Sequence, residues 1–342
     1  MKSRLFAIAL STLLCMTATA QQEENAPLNV LLETRADYQR DYLDGKLVDD
    51  NTGFKGKYLN IKLTGNITDD ISYVFEQRLN KMHANTNFFD ATDFIYLNWQ
   101  ATDNLSLSAG KQVVAIGGFE YDRAPINLYF FSEFWNNIGC YQWGASATYS
   151  FNQDRDNLLF QFCESPFRSH SQYEAYAYNL MWRGSHGPLS TIWSFNMSEY
   201  DKGKYISYIS LGNEVSLSKS LKTQIDFINR ASKHQNYWLD DYSLMAELSF
   251  KPNQKFNVFA KATYDVNKTE NNADYTVLPG TEMTSVGGGL EYFPLGTNQV
   301  RLHVNYSYSF GKNGNPEGAL PDKQSLFDVG LTWRLDWHPF NH

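Results

Sequence analysis

The sequence predicts an all-β fold, a transmembrane antiparallel up-and-down β-barrel of about 16 strands. Beyond Pro27 apolar and polar residues alternate with period two, which places every second side chain on one face of a strand. Short and long connections follow one another along the chain, as in barrels with tight turns at one end and loops at the other. The mean hydropathy of −0.46 excludes a bundle of membrane helices, and the 15% aromatic content excludes a disordered chain.

The first 20 residues have the features of a cleaved signal peptide, so the chain is expected to be exported. Lys2 and Arg4 precede an apolar run at 5–16 and a small-x-small cleavage site that ends at Ala20. A short N-terminal anchor helix is the alternative, but the apolar run is shorter than the roughly 20 residues that a spanning helix needs. Residues 21–342 then form a single barrel domain, since no change of composition marks a second one.

The alternating segments are individually recognisable, and the last is the clearest. It carries Phe327, Trp333 and Trp337 on one face and Asp328 and Arg334 on the other. A tilted strand of about ten residues spans roughly 23 Å, close to the apolar band of an outer membrane, and aromatic residues near segment ends are typical of interfacial girdles. The predicted strands are 28–39, 55–65, 70–80, 92–100, 104–112, 139–151, 156–164, 175–184, 188–199, 204–218, 220–230, 241–251, 254–265, 282–293, 298–310 and 324–337.

The connections distinguish the two ends of the barrel. Short turns rich in Gly, Pro, Asn, Asp and Ser are expected on the periplasmic side, and long loops on the extracellular side. A soluble sheet sandwich would share the alternation, but about sixteen strands are too many for one open sheet, and closure removes the edges. The predicted extracellular connections, all long except 200–203, are 40–54, 81–91, 113–138, 165–174, 200–203, 231–240, 266–281 and 311–323.

Charge and residue spacing exclude several functions. A net charge of −8 argues against nucleic acid as a partner, because phosphate-backbone binders carry clustered basic residues. Cys140 and Cys163 remain after export, and their offset of about four residues on neighbouring strands favours free thiols. The seven histidines lack metal-ligand spacing, so no metal or other cofactor is expected. His303 and Ser307 would lie about 13 Å apart along one strand, too far for nucleophile activation, so no enzymatic activity is expected.

Two regions of the sequence resemble a known family. The runs GKQVV at 110–114, GGFEYDR at 117–123 and NLYFFSEF at 127–134, with the hairpin between Tyr58 and Asn80, are similar to the phosphate-selective porin O and P family of Gram-negative bacteria. The resemblance implies a homotrimeric channel in contact with outer-membrane lipid, and its best-known members take phosphate or polyphosphate as substrates. Those members carry a surplus of arginine and lysine along the pore, which this sequence lacks.

The polar faces of the predicted strands carry about ten cationic and about ten anionic side chains, which would face a water-filled lumen. Opposed charges across a lumen select among small solutes, whereas the alternative is that they are solvated wall residues paired locally. The predicted function is passive diffusion of small hydrophilic solutes or ions, with phosphate or other anions implied by the resemblance. A plugged structural or adhesive barrel is the alternative. The candidate pore-lining and selectivity residues are Lys62, Glu76, Arg78, Glu120, Asp122, Arg123, Arg183, Lys261, Arg301 and Arg334.

The connection 113–138 is the longest and is rich in large apolar side chains. Exposing them would cost roughly 1.5–3 kcal/mol for each side chain, so the segment must be buried. Gly117 and Gly118 supply a bend and Pro125 fixes the return, which predicts a constriction loop folded into the lumen. The same aromatic residues would alternatively latch neighbouring subunits of a trimer.

In the folded-in arrangement, the charges of this loop lie near the middle of the lumen. We expect Glu120, Asp122 and Arg123 to face wall cations such as Arg78 and Lys62. Such a set of opposed charges would create a transverse field at the narrowest point of the channel.

Overall fold

A computed structural model describes residues 26–81, 87–233, 235, 237–270, 272–315, 318 and 320–339. The predicted signal peptide, residues 1–20, lies outside the described residues. Sixteen long strands form one antiparallel sheet in which each strand pairs with its neighbours in sequence. The last strand also pairs with the first, with Trp337 opposite Val30 and Gln324 opposite Leu43, so the sheet closes into a barrel.

The strands are named in chain order. They are β1 Asn29–Leu43, β2 Gly53–Asn66, β3 Ile71–Arg78, β4 Thr92–Thr102, β5 Leu105–Val113, β6 Tyr141–Phe151, β7 Asp156–Glu164, β8 Tyr176–His186, β9 Leu189–Asp201, β10 Lys204–Ser216, β11 Leu221–Ser232, β12 Asp241–Asn253, β13 Phe256–Asn267, β14 Glu282–Tyr292, β15 Val300–Lys312 and β16 Lys323–Trp337. A two-residue strand, Lys46–Leu47, pairs with the end of β1.

Among the described residues, helical structure is confined to short segments in the connections. The α-helices are α1 Phe119–Asp122 and α2 Glu133–Asn137. Single turns of 3-10 helix lie at Asp49–Asn51, Leu79–Lys81, Phe88–Asp90, Pro125–Asn127 and Arg168–His170. None of the helices in the described residues is long and apolar enough to cross a membrane.

Each of the sixteen predicted segments corresponds to one strand, so the predicted fold is confirmed. The differences lie at strand ends. β1 continues to Leu43, beyond its predicted end at 39, because the alternation persists and Asp41 is still buried on the inner face. β3 ends at Arg78, before its predicted end at 80, because the chain turns into a 3-10 helix there.

The sheet exposes apolar side chains and buries polar ones, the reverse of the arrangement in a soluble protein. Outward-facing side chains are apolar and exposed, such as Tyr306 at 52% and Trp337 at 57% of their full surface. Inward-facing side chains are polar and buried, and Asn196 and Ser210 are both at 0%. A sandwich would bury its apolar face instead, so the arrangement is that of a membrane barrel with a polar interior.

Residues 114–140, the inner loop, connect β5 to β6 and fold into the barrel. Val114, Ile116 and Phe134 of this loop pack in one buried cluster with Tyr208 of β10 and Ile228 of β11. These wall residues alternate with outward-facing ones along their strands. The apolar side chains of the loop are therefore buried against the inner wall of their own barrel.

Cys140 and Cys163 are both free, as predicted. Gly144, not Cys140, lies opposite Cys163 in the pairing of β6 with β7. The offset of about four residues keeps the two sulfur atoms too far apart for a disulfide. Burial raises the pKa of Cys140, which precedes β6, to about 11, so this residue is a neutral thiol at physiological pH.

Candidate functional site

The inner loop enters the lumen at two consecutive glycines. Gly118 has φ +113°, and a Cβ at Gly117 would lie 2.5 Å from the carbonyl oxygen of Ile192 on β9, so neither position accommodates a side chain. The Gly117 N–H donates to Ser194 Oγ at 2.8 Å, and Ser210 Oγ donates to the Gly117 carbonyl at 2.7 Å. The predicted bend is thus held directly against β9 and β10.

Wall cations bind the backbone carbonyl groups in the middle of the inner loop. Arg35 Nη1 on β1 donates to the Leu128 carbonyl at 2.6 Å. Arg301 Nη2 on β15 donates to Ile126 at 2.9 Å, and Lys261 Nζ on β13 donates to Phe130 at 2.8 Å. Because buried carbonyl groups need partners, these cations fix the path of the loop. The loop therefore reaches from β9 across the lumen to β1.

Wall carboxylates bind the first backbone N–H groups of the two loop helices. The Glu120 N–H in α1 donates to Asp226 Oδ2 on β11 at 2.7 Å. The Glu133 N–H in α2 donates to Asp265 Oδ2 on β13 at 2.9 Å. A helix leaves its first N–H groups without internal partners, and a carboxylate satisfies them and suits the positive end of the helix.

The charged side chains of α1 and the residue after it pair with strands β8, β12 and β13. Asp122 binds Arg183, Arg123 Nη1 lies 2.8 Å from Glu247 Oε2, and Glu120 Oε1 lies 2.5 Å from Lys261 Nζ. These pairs are at most partly exposed. The predicted opposition of charges within the lumen is present, with loop and wall as the two sides.

The predicted partners of those charges were wrong. Lys62 Nζ lies 3.3 Å from Glu76 Oε2 on the neighbouring strand, and Arg78 binds Asp93. The loop follows a different path from the predicted one. Helix α1 and the residue after it contact side chains of β8, β11 and β12 rather than those of β2 and β3. The alternative stated above, that charged wall residues pair locally with each other, is correct for Lys62 and Arg78.

Seven of the ten predicted pore residues come together around the inner loop, and three lie apart from it. Arg334 completes the first group, because its Nη2 donates to Asn127 Oδ1 at 2.9 Å while its Nε binds Glu33 at 3.0 Å. The residues in contact with the loop, or part of it, are Glu120, Asp122, Arg123, Arg183, Lys261, Arg301 and Arg334. The three on β2 and β3 are Lys62, Glu76 and Arg78.

A cavity of about 470 Å³ lies between the inner loop and the end of the barrel that carries the short turns. We refer to it as the vestibule. Its lining has seven cationic and five anionic side chains, in a protein whose net charge is −8. The cationic residues are Arg123, Arg155, Arg183, Lys222, Lys251, Lys261 and Arg301, and the anionic ones are Asp122, Asp154, Glu214, Glu247 and Glu291.

Two of the vestibule cations are available for a passing solute. Within the described part of the chain, Arg155 and Lys251 take part in no ion pair, whereas Lys222 Nζ lies 2.8 Å from Glu214 Oε1. Lys251 is exposed on β12, and Arg155 lies in the turn before β7. The vestibule surface therefore combines paired charges with two exposed positive ones.

A second buried network, centred on Arg230 of β11, lies next to Phe134 of α2. Arg230 Nη2 on β11 lies 2.9 Å from Asp241 Oδ1, and its Nε lies 2.7 Å from Asp274 Oδ2. Its guanidinium carbon lies 5.7 Å from the centre of the Phe134 ring in α2. Burial, reinforced by the Asp265 carboxylate, raises the pKa of Glu133 in α2 to about 7. The loop helix thus sits between a buried cation and a wall carboxylate.

Several residues that position the inner loop were missed by sequence reasoning. Asp226 and Asp265 carry the α1 and α2 contacts, and Arg35 carries the contact at Leu128. The alternation does place all three on inner faces. It gives no signal for which wall residue the loop meets, because that depends on contacts more than 90 residues apart in sequence, as for Arg35 and Leu128.

A closed sixteen-stranded antiparallel barrel, apolar outside and polar within, with a charged cavity beside an inward loop, defines an outer-membrane channel protein. Residues 28–204, more than half of the chain, match the family described as phosphate-selective porin O and P. The chain belongs to that family, which confirms the resemblance seen in the sequence. No curated protein sequence matches the chain.

Solved structures share the fold at low sequence identity. The anion-selective porin from Comamonas acidovorans is 11% identical with a TM-score of 0.63, over 90% of this chain and 99% of that one. OmpT of Vibrio cholerae, an outer membrane protein in its trimer form, is 14% identical with a TM-score of 0.61, over 90% and 99% of the two chains. A mutant of Rh. blastica porin is 12% identical with a TM-score of 0.57, over 90% and 100%. At these identities the likeness concerns the fold.

Proposed function

We propose that the protein is a passive diffusion channel for small hydrophilic solutes and that its vestibule favours small anions, among them phosphate. The observation that carries this proposal is the charged vestibule inside the barrel, where cationic side chains outnumber anionic ones by seven to five. Charges that line a pore act on a passing ion at short range and through little screening water. The net negative charge of the whole chain therefore does not determine the preference of the lumen. Membership of a family described as phosphate-selective supports the same direction.

The inner loop is the proposed constriction element, and it corresponds to the predicted segment 113–138. Its backbone is bound by wall residues of β1, β9, β10, β11, β13 and β15. The alternative role as a latch between subunits needs the aromatic residues of the loop to be accessible. Phe134 and Phe130 are buried within their own barrel, at 0% and 6% of their full surface, which favours the constriction role.

Roles for the predicted pore residues follow from their positions. Arg183, Lys261, Arg301 and Arg334 hold the loop and present the cationic side of the lumen, with Glu120 and Asp122 opposite Lys261 and Arg183. Arg123 of the loop faces the wall carboxylate Glu247 instead. Lys62, Glu76 and Arg78 form the wall on β2 and β3. Apolar outer side chains fit contact with outer-membrane lipid, and a homotrimer is the proposed assembly.

The ion preference is tested by reversal potentials in planar bilayers under a salt gradient. The wild-type channel is expected to favour chloride over potassium, and Arg155→Glu with Lys251→Glu is expected to reverse the sign of the potential. Both changes replace an exposed vestibule cation by an anion and leave the described ion pairs intact. Lys268→Glu is the matched control, because Lys268 is exposed beyond the other end of β13 and does not line the vestibule.

Two results would contradict this proposal in different ways. An open channel whose reversal potential is the same in the wild type and the double variant would refute the role of the vestibule. A correctly folded protein with no conductance at all would support the alternative of a plugged structural or adhesive barrel.

The orientation of the barrel is proposed from its connections, with the long ones extracellular. Glu270→Cys, in the long connection after β13, is expected to react with a membrane-impermeant maleimide on intact cells. Asn253→Cys, at the short turn after β12, is expected to react only after the outer membrane is permeabilised. Both positions are exposed, and the wild-type protein supplies the background of Cys140 and Cys163. The opposite labelling pattern would invert the orientation.

A further inference from the structure

Three side chains meet at the seam where the barrel closes. Gly330 on β16 lies opposite Asp37 on β1 and opposite His303 on β15. Because glycine has no side chain, Asp37 and His303 approach each other over it. A Cβ at Gly330 would collide with Asp37 Oδ1 and would lie 2.5 Å from His303 Cε1. Asp328, two residues earlier on β16, is the third member of this group, which we call the seam cluster.

The atoms of the seam cluster face one another without hydrogen-bond geometry. His303 Nε2 lies 3.3 Å from Asp37 Oδ1 and 3.1 Å from Asp328 Oδ1. Both separations are within ion-pair range for a protonated imidazole, but neither contact has good hydrogen-bond geometry. Among the described residues, neither ring nitrogen of His303 nor Asp328 Oδ1 has a partner with such geometry. The three side chains are almost completely buried, at 0 to 2% of their full surface. Buried polar atoms are nearly always satisfied, so this concentration of unsatisfied atoms needs a physical cause.

Neighbouring side chains hold both carboxylates in place, Asp37 through both of its oxygens, and the Oδ1 atom of each carboxylate also lies near the imidazole. Arg35 Nη2 donates to Asp37 Oδ2 at 2.7 Å, and its Nε lies between the two oxygens of that carboxylate at 3.1 and 3.0 Å. Asn305 Nδ2 donates to Asp328 Oδ2 at 3.1 Å. Carboxylates that bind metal ions are oriented by outer hydrogen bonds of this kind. The Tyr129 ring of the inner loop lies 4.6 Å from the His303 ring and covers it from the lumen side.

We propose that Asp37, His303 and Asp328 bind a divalent transition-metal ion of the Zn²⁺ type at the seam of the barrel. One imidazole nitrogen and two carboxylate oxygens are ligands that Zn²⁺ takes, with bonds of about 2.0–2.2 Å. In a tetrahedral arrangement such bonds place the ligand atoms roughly 3.3–3.6 Å apart. The two separations from Nε2, 3.3 and 3.1 Å, lie at or slightly below this spacing, and one ligand atom from each of the three residues lies within 4.8 Å of the others.

The ligand chemistry of the seam cluster favours this kind of ion. The two carboxylates face the cations Arg35 and Lys57, and one imidazole with two carboxylates is a set of ligands that suits Zn²⁺. Ca²⁺ and Mg²⁺ are poor candidates, because they prefer six or more oxygen ligands and do not select imidazole. The competing arrangement is a protonated His303 without metal. Its single Nε2–H would be expected to point at a carboxylate oxygen, whereas neither of the two contacts has that geometry.

The ion would join the first strand to the last two. Asp37 lies on β1, His303 on β15 and Asp328 on β16, so the metal would act as a clip at the junction that closes the barrel. This role is separate from the proposed transport function. The channel could be open or plugged, and selective or not, without changing the argument.

The test uses tag-free, folded protein that has been treated with EDTA and dialysed. Titration with Zn²⁺ is expected to give one tightly bound ion per chain by calorimetry and by elemental analysis after gel filtration. Co²⁺ is expected to give visible absorption bands typical of tetrahedral nitrogen and oxygen ligation. Zn²⁺ is also expected to raise the thermal unfolding temperature of the barrel, which is a readout independent of transport.

Variants separate the seam cluster from other histidines. His303→Ala removes a ligand and is expected to weaken Zn²⁺ binding by more than about 100-fold, and Asn305→Ala removes an outer hydrogen bond and is expected to weaken it by about 10-fold. His186→Gln is the control, because His186 pairs with Asp156 at 2.9 Å near a short turn, far from β1 in sequence and in the sheet order. If His303→Ala does not fold, Asn305→Ala and the wild-type titration still decide.

Any of three outcomes would overturn the proposal. One is a wild-type protein that retains no Zn²⁺ and unfolds at the same temperature with and without it. Another is an NMR spectrum in which His303 stays an imidazolium in saturating Zn²⁺, which would identify the protonated arrangement. Binding that is lost in the control variant and kept in Asn305→Ala would assign the ion to a surface histidine and would refute the seam site.

Discussion

Deletion of residues 120–134 is expected to raise the single-channel conductance several-fold while the barrel stays folded. The deleted segment contains most of α1, the first two residues of α2 and the carbonyl groups that Arg35, Lys261 and Arg301 bind. A barrel of sixteen strands is wide enough to leave an aqueous channel once its interior is cleared. The strand ladder itself is untouched, because among the described residues each strand pairs with its neighbours, and Gly118, the loop residue that bonds to the β9 backbone, lies outside the deletion.

The ion preference is expected to change in the same deletion. The segment carries Glu120, Asp122 and Arg123, whose partners on the wall are Lys261, Arg183 and Glu247. In the deletion these three loop charges are gone and their wall partners are solvated in a wide lumen, where water screens them and discrimination between ions falls. Single-channel recording at several salt gradients measures both effects. Heat-modifiable mobility in gels shows that the barrel is folded and in its assembled state.

A full-length variant separates the space that the loop fills from the charges that it carries. Asp122→Asn with Arg123→Gln removes two loop charges but keeps the backbone contacts at Gly117 and Leu128. Its conductance is expected to stay close to that of the wild type while its ion preference changes. If the deletion left the conductance unchanged and caused the subunits to dissociate, the constriction role would be refuted. The loop would then be a latch between subunits.

The barrel could be predicted from the sequence because its signal is local. Alternation along one strand, such as that of Phe327 and Trp333 against Asp328 and Arg334, fixes which face is apolar without knowledge of any other strand. The strand ends were less certain, because they depend on turns such as the 3-10 helix at Leu79–Lys81. Closure was predicted from the number of strands and is confirmed by the pairing of β1 with β16.

The site could be predicted only in part because its contacts are non-local. The loop itself was evident, since a long connection with many aromatic residues must be buried. The wall residues that the loop contacts were not evident. Glu120 pairs with Lys261 and Arg35 binds Leu128, and such distant pairs leave no local pattern in the sequence. The seam cluster shows the same limit. Asp37 and His303 come together over Gly330, which reads in the sequence only as one small residue in a strand.

Arg230→Met is expected to lower the free energy of unfolding by about 3–5 kcal/mol, the usual cost of breaking a buried ion pair by removing one partner. Arg230 is 1% exposed and lies between the Asp241 and Asp274 carboxylates at 2.9 and 2.7 Å. Methionine fills much of the volume but supplies no charge. The negative charges of Asp241 and Asp274 are then left buried without a counter-charge, close to Phe134 of the inner loop. Denaturant unfolding in detergent micelles, followed by tryptophan fluorescence, measures the loss.

Two further variants show whether the loss comes from uncompensated charge rather than from a missing side chain. Asp241→Asn and Asp274→Asn, added to Arg230→Met, are expected to recover a substantial part of the stability, because they remove the carboxylates that the arginine neutralised. Lys204→Met is the matched control. Lys204 pairs with Asp201 at 2.7 Å, but both side chains are well exposed, so its loss is expected to change the stability far less than Arg230→Met does. If Arg230→Met were no more destabilising than this control, the buried network would not be what holds α2 and the inner loop against the wall.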